Sequence, residues 1–126
     1  MVVRATAGVA RKRVARICLV LPEAITESQT GQHDTYLVRN KKFAYFLDDH
    51  HGDGRLALCT RAAPGENTAR AGAEPDRYFL PSYIGPRGWV GYYLDVDRVD
   101  WDEADDLVRE SYLLVAPKKL AALVGT

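Results

Sequence analysis

The chain has 126 residues, 47% of them apolar and 27% charged, with a formal net charge of zero. That is the size of a single domain, 1–126, with the composition of an ordinary globular protein, which excludes a disordered chain. It also excludes a membrane span, because no apolar run is long enough to cross a bilayer.

Arg4, Arg11, Lys12, Arg13 and Arg16 are interleaved with apolar residues as far as Leu21. A secretory signal needs a clean apolar block after its charges, so a cytoplasmic location is expected. Cys18 and Cys59 are isolated, with no CxxC spacing, and are expected to be small buried hydrophobes.

The first predicted element is a helix over 5–20. Ala10, Val14, Ile17, Cys18 and Leu21 fall on one apolar face, and Pro22 ends the run. The period then changes. "ITESQTGQ" alternates weakly, "TYLVRN" (35–40) reads as a strand, and "KKFAYFLDD" alternates Phe43, Tyr45 and Leu47 against Ala44, Phe46 and Asp48. Asn40-Lys41 is a candidate two-residue hairpin turn, since Asn tolerates a positive φ. "HHGDG" (50–54) is the next turn and "GRLALCTR" the next strand, giving a meander of up to four strands.

Pro64 can open a short helix and Pro75 end it, although Gly72 weakens it. In "GWVGYYLDV" (88–96), Val90, Tyr92 and Leu94 point one way and Trp89, Gly91 and Tyr93 the other. The clearest helix is 100–116, with Asp100 as N-cap three residues before Glu103. Its buried stripe is Trp101, Ala104, Val108, Tyr112 and Val115. Pro117 opens a last short helix with Gly125 as its stop. The expected fold class is α+β: two layers, an antiparallel sheet of about five strands, and helices on one face.

Motifs that would carry chemistry are weak. Asp48, Asp49, His50, His51 and Asp53 are competent metal ligands, but a calcium loop starting at Asp49 would have Thr60 where the bidentate Glu belongs. A solvated turn is the better reading, and neither a metal nor a cofactor is expected. His33 and Asp34 are adjacent and would point to opposite faces of a strand, which does not make a dyad. There is no GxSxG elbow, HExxH or P-loop, and Gly85, Gly88 and Gly91 lack dinucleotide-fingerprint spacing. An enzyme is not supported.

Charge is unevenly placed. Residues 1–20 hold five basic residues and no acid, whereas 95–110 hold eight acids against Arg98 and Arg109. Zero net charge argues against a generic nucleic-acid binder, yet a dipolar protein can present one basic face. Candidate cations are Arg39, Lys41 and Lys42 at a hairpin tip, Arg77, Arg87 on a turn, and Lys118 and Lys119 opening the last helix. On strand turns they could track phosphates.

Three blocks, "LVRNKKFAYF" (37–46), "PDRYFLPSYIGPRGWVGYYLD" (75–95) and "VDWDEADDLVRESYLLVAPKKLAA" (99–122), resemble the MmcQ/YjbR-like family of small bacterial proteins over nearly the whole chain. The resemblance implies a two-layer fold similar to type III secretion chaperones and distantly to frataxin-like proteins. It also implies DNA binding through a proposed double-wing arrangement. The segment "PGENTARAGAE" departs from relatives, which tend to have a stronger charged helix there. Two functions are therefore expected in turn. The first is a non-enzymatic DNA-binding protein, with Lys41, Lys42 and Arg87 on phosphates and Arg39, Arg77, Lys118 and Lys119 nearby. The alternative is a chaperone-like protein- or small-ligand-binding module using Trp89 and Tyr93. A monomer or weak homodimer is expected.

Overall fold

The structure is a computed structural model describing residues 3–28, 31, 33–49 and 52–124, with residues 3–6 as backbone alone. Helix α1 (Val3–Leu19) leads into a meander of four antiparallel strands, β1 (Ile25–Ser28), β2 (Asp34–Val38), β3 (Lys41–Asp48) and β4 (Leu56–Arg61). Helix α2 (Glu66–Ala73) crosses to the far edge. Strands β5 (Tyr78–Phe79) and β6 (Trp89–Tyr93) follow, then α3 (Trp101–Val115) and α4 (Lys118–Val124). The sheet order is β1-β2-β3-β4-β6-β5, every neighbouring pair antiparallel. The expected two-layer α+β fold is present, with six strands rather than about five. The extra one is β5, whose two residues are too short to leave an alternation in the sequence.

One sheet face carries the helices. Tyr36, Val38, Phe43, Phe46, Leu56, Leu58, Val90 and Tyr92 pack against Ala10, Val14 and Cys18 of α1 and Ala104, Leu107, Val108 and Tyr112 of α3. Each large side chain fully buried here contributes about 1.5–3 kcal/mol. The N-cap of α3 is as expected: the Asp100 carboxylate accepts from the Asp102 and Glu103 amides, 3.1 Å each. The expected stripes hold for Ala10, Val14, Cys18 and Leu21 and for Ala104, Val108 and Tyr112, while Leu107 and Ser111 of α3 are buried in addition. The proposed stop at Gly125 lies outside the described residues.

Two details of β3 depart from simple alternation. The hairpin turn is Arg39-Asn40, one residue earlier than expected, because Val38 pairs with Lys41. Both turn residues have positive φ, 49° and 67°, the requirement of a type I′ turn. The β2–β3 register then shifts beside Tyr36 and Leu37. That bulge turns Phe43 to the helix side, where it meets the Tyr112 ring edge-on at 5.5 Å, so Phe43 shares a face with Ala44 and Phe46 rather than with Tyr45.

Where the ladder opens, the buried Ser111 hydroxyl of α3 substitutes for a missing strand–strand bond. It donates to the Phe43 carbonyl and accepts from the Arg61 amide at 2.9 Å. Helix α2 is fixed in a similar way. Buried Asn67 donates to the carbonyls of Gly85 (2.8 Å) and Trp89 (3.1 Å), which locks the 3-10 turn Gly85–Arg87 and the start of β6. Among the described residues no helix is long and apolar enough to cross a membrane.

Candidate nucleic-acid interface

The register sorts the charges by sheet end. At one end lie the Arg39-Asn40 turn, Lys41 and Lys42 at the start of β3, Arg61 at the end of β4, and Arg87 just before β6. Helix α3 runs toward this end. Ser111 reaches Phe43 and Arg61, and the Tyr112 hydroxyl donates to the Pro22 carbonyl at 2.8 Å. Lys118 and Lys119 follow from that end of α3, so six of the seven expected cations are drawn to one end of the molecule.

Their roles differ. Arg39 is spent: it forks onto Glu23 with contacts of 2.6 and 3.0 Å, and that bond holds the Glu23 carboxyl below the usual carboxylate range. Arg61, which the sequence reading did not single out, donates to the Lys42 carbonyl at 2.8 Å and lies 5.0 Å from the Trp89 ring. Lys41, Lys42, Arg87, Lys118 and Lys119 are exposed. Arg77 is not part of this end. Its carbonyl accepts from the Tyr93 amide, which puts it beside the far end of β6.

The opposite end is acidic. Asp34, Asp48, Asp49, Asp53 and Asp95 stand at strand ends there, and the acid-rich N-terminus of α3 joins them through the Tyr92 hydroxyl, which donates to the Asp100 carbonyl at 3.4 Å. Two carboxylates are held by arginine forks, Asp34 by Arg11 (2.7 Å twice) and Asp95 by Arg55 (2.8 Å twice). The Arg11 bonds depress the Asp34 carboxyl. Burial pushes Asp95 up, but the Arg55 fork and the Leu56 amide together outweigh it, and the net shift is downward. The segregation gives a chain of zero net charge one cationic end and one acidic end.

His33 and Asp34 are engaged separately. His33 Nδ1 accepts from the Asp48 amide at 3.1 Å, while Asp34 faces Arg11. Among the described residues no three metal-competent side chains converge, and His50 and His51 lie outside them. Cys18 and Cys59 are free and fully buried; desolvation raises both thiols, Cys59 to about 12.

The sheet face away from the helices carries Tyr45, Phe79, Trp89 and Tyr93, with the parity expected for Trp89 and Tyr93. Trp89 is nevertheless buried, between Tyr45 (rings 5.0 Å apart) and Arg61. Tyr93 is half-buried, stacked on Phe79 at 4.7 Å and met by the Arg55 guanidinium at 3.7 Å. Beside Phe79 the face opens into a groove of about 520 Å³.

An open antiparallel sheet with helices on one face places the chain among small two-layer α+β proteins. Within that class, the YjbR family profile matches residues 19–114, and the chain belongs to that family. It is similar in fold to the crystal structure of Deinococcus radiodurans protein DR2400, a DUF419-domain protein, with a TM-score of 0.67 and 21% identity over 89% of this chain and 85% of that one. No functionally curated protein matches.

Proposed function

We propose that this YjbR-family chain is a non-enzymatic DNA-binding protein that holds phosphates on the cationic end of its sheet. The observation that carries the reading is the charge segregation: Lys41, Lys42 and Arg87 are exposed on strand turns at one end, with Lys118 and Lys119 beyond α3, while the carboxylate-rich strand ends lie at the other. Strands β3 and β6 are separated by β4, so the two groups of cations stand about 10 Å apart, two strand spacings. That geometry suits contacts to a phosphate backbone, which give affinity without sequence choice. The two free, buried thiols fit a reducing, cytoplasmic compartment.

The chaperone-like alternative needs an exposed aromatic face. Trp89 is covered and Tyr93 is half-buried, so the phosphate reading is the better supported. Titration of a labelled duplex by fluorescence anisotropy at two salt concentrations tests it. Binding at low salt, weakened by added salt and by Lys41→Ala/Lys42→Ala, is expected. No binding at low salt, or binding indifferent to that double substitution, counts against it.

A further inference from the structure

We propose that Arg61 is a fixed phosphate fork, which together with Lys42 grips the phosphate at the middle of the cationic end. The β3–β4 ladder ends at Ala44 and Thr60, and the Lys42 carbonyl beyond it accepts from Arg61 Nε at 2.8 Å. The guanidinium lies 5.0 Å from the ring of Trp89, the register partner of Arg61, and the residue is half-buried. A carbonyl and a ring therefore hold this side chain in place before any ligand arrives. Its lack of a counter-charge separates it from the other fixed arginines. Arg11, Arg39, Arg55 and Arg109 each meet a carboxylate at 2.6–3.0 Å, and Arg70 stands among Glu66, Glu103 and Glu110 at 3.6–4.0 Å. Among the described residues no carboxylate lies within 4.0 Å of Arg61. With Nε spent, its remaining N–H donors sit on the terminal nitrogens, in the planar arrangement that matches phosphate bidentately. Ordering a long cationic side chain ordinarily costs affinity at the moment of association, and here the fold has ordered it already.

The neighbours of Arg61 are cationic. Lys41 pairs with Val38 and Lys42 with Leu37. Val38 belongs to the helix-side core, so Lys41 points that way and Lys42 lies on the open face with Arg61 and Trp89. On the other side, the amide of Ala62, next to Arg61, donates at 2.9 Å to the carbonyl of Gly88, next to Arg87. Arg61 thus stands on β4 midway between the two groups of cations, about 5 Å from the strand on either side. A phosphate placed there meets the Arg61 fork and the Lys42 ammonium together. Because both act on one phosphate, Arg61 adds geometry rather than a further displaced counterion. This assignment rests on the duplex-binding reading, but a fixed fork also takes a free phosphate, so the two fail separately.

Duplex titrations on the purified full chain compare Arg61→Lys with Lys42→Arg, each of which keeps its charge. Arg61→Lys is expected to weaken binding about five- to tenfold with the salt slope unchanged, whereas Lys42→Arg stays within about twofold. In parallel, the Arg61 Nε–H NMR signal of the unaltered chain is followed during addition of inorganic pyrophosphate, with chloride at equal ionic strength as control. A shift that saturates with a Kd on the order of 1–10 mM is expected, and none with chloride. Full duplex affinity in Arg61→Lys overturns the fork while leaving the phosphate reading of Lys41, Lys42 and Arg87. The absence of a pyrophosphate-specific shift also overturns it, and that result is independent of whether Arg61→Lys folds. If the unaltered chain binds no duplex, the DNA reading falls and the pyrophosphate titration alone decides for or against the fork.

Discussion

The ring of Phe79 occupies the space that a side chain at Gly91 would need. The two residues face each other across the β5–β6 ladder, and a Cβ at position 91 would come within 2.2 Å of the Phe79 ring carbons. Gly91 has no positive φ, so its backbone would accept alanine. What requires glycine is the close approach of Phe79, which lets that ring stack on Tyr93 and wall the groove.

Gly91→Ala is therefore expected to destabilise the protein by about 1–3 kcal/mol through overpacking. In a Phe79→Ala background the same change should be neutral or stabilising by up to about 1 kcal/mol, because only the strand-entropy gain remains. Urea unfolding of the four proteins of this cycle measures the coupling. A cost for Gly91→Ala that persists without Phe79 would show that the ring is not its cause.

Ser111 links α3 to two strands where the ladder opens. Ser111→Ala leaves the Phe43 carbonyl and the Arg61 amide without this partner, and each orphaned group costs about 1–3 kcal/mol. Lower stability is expected, together with faster hydrogen exchange at the Arg61 amide. Ser111→Thr keeps the hydroxyl, so it should retain the amide protection if the extra methyl is accommodated.

Much of this was legible in the sequence, and the exceptions have physical causes. The stripe of α1, the cap at Asp100 and the parity of β6 follow from local periodicity, which a single sequence displays. Alternation puts Phe43 with Tyr45, whereas the bulge adds one residue, resets the period of two and turns Phe43 to the helix side. Ser111 leaves no signal in the sequence because its role depends on that bulge, and β5 leaves none because its pairing with β6 is nearly all that defines it. Exposure was harder to read than position. Trp89 lies on the face that alternation gives it, yet Tyr45 and Arg61, distant in sequence, cover it. The cations at 39, 41 and 42 were legible as a hairpin tip. The pairing of Arg39 with Glu23, and the placement of Arg77 at the other end, required the register of the whole sheet.

The two arginine forks make stability depend on acid. Asp34 and Asp95 have folded pKa values below their unfolded ones, so their contribution is fully present above the unfolded value, about 3.9. It is lost as pH falls from there through the lower folded values. Stability measured by urea unfolding should fall steeply below about pH 4. Asp34→Asn/Asp95→Asn should be less stable at neutral pH and show a shallower acid slope. An unchanged slope would remove these two groups from the acid transition.

The charge axis is the central claim, and the salt dependence of duplex binding tests it most directly. If Lys41, Lys42, Arg87, Lys118 and Lys119 each displace one counterion, log K should fall with log salt at a slope of about −4 to −5. In Lys41→Gln/Lys42→Gln/Arg87→Gln the slope should shrink to about −2, while Lys12→Gln on α1 leaves it unchanged. A slope in the triple variant equal to that of the unaltered protein would contradict the assignment of this end of the sheet to phosphates.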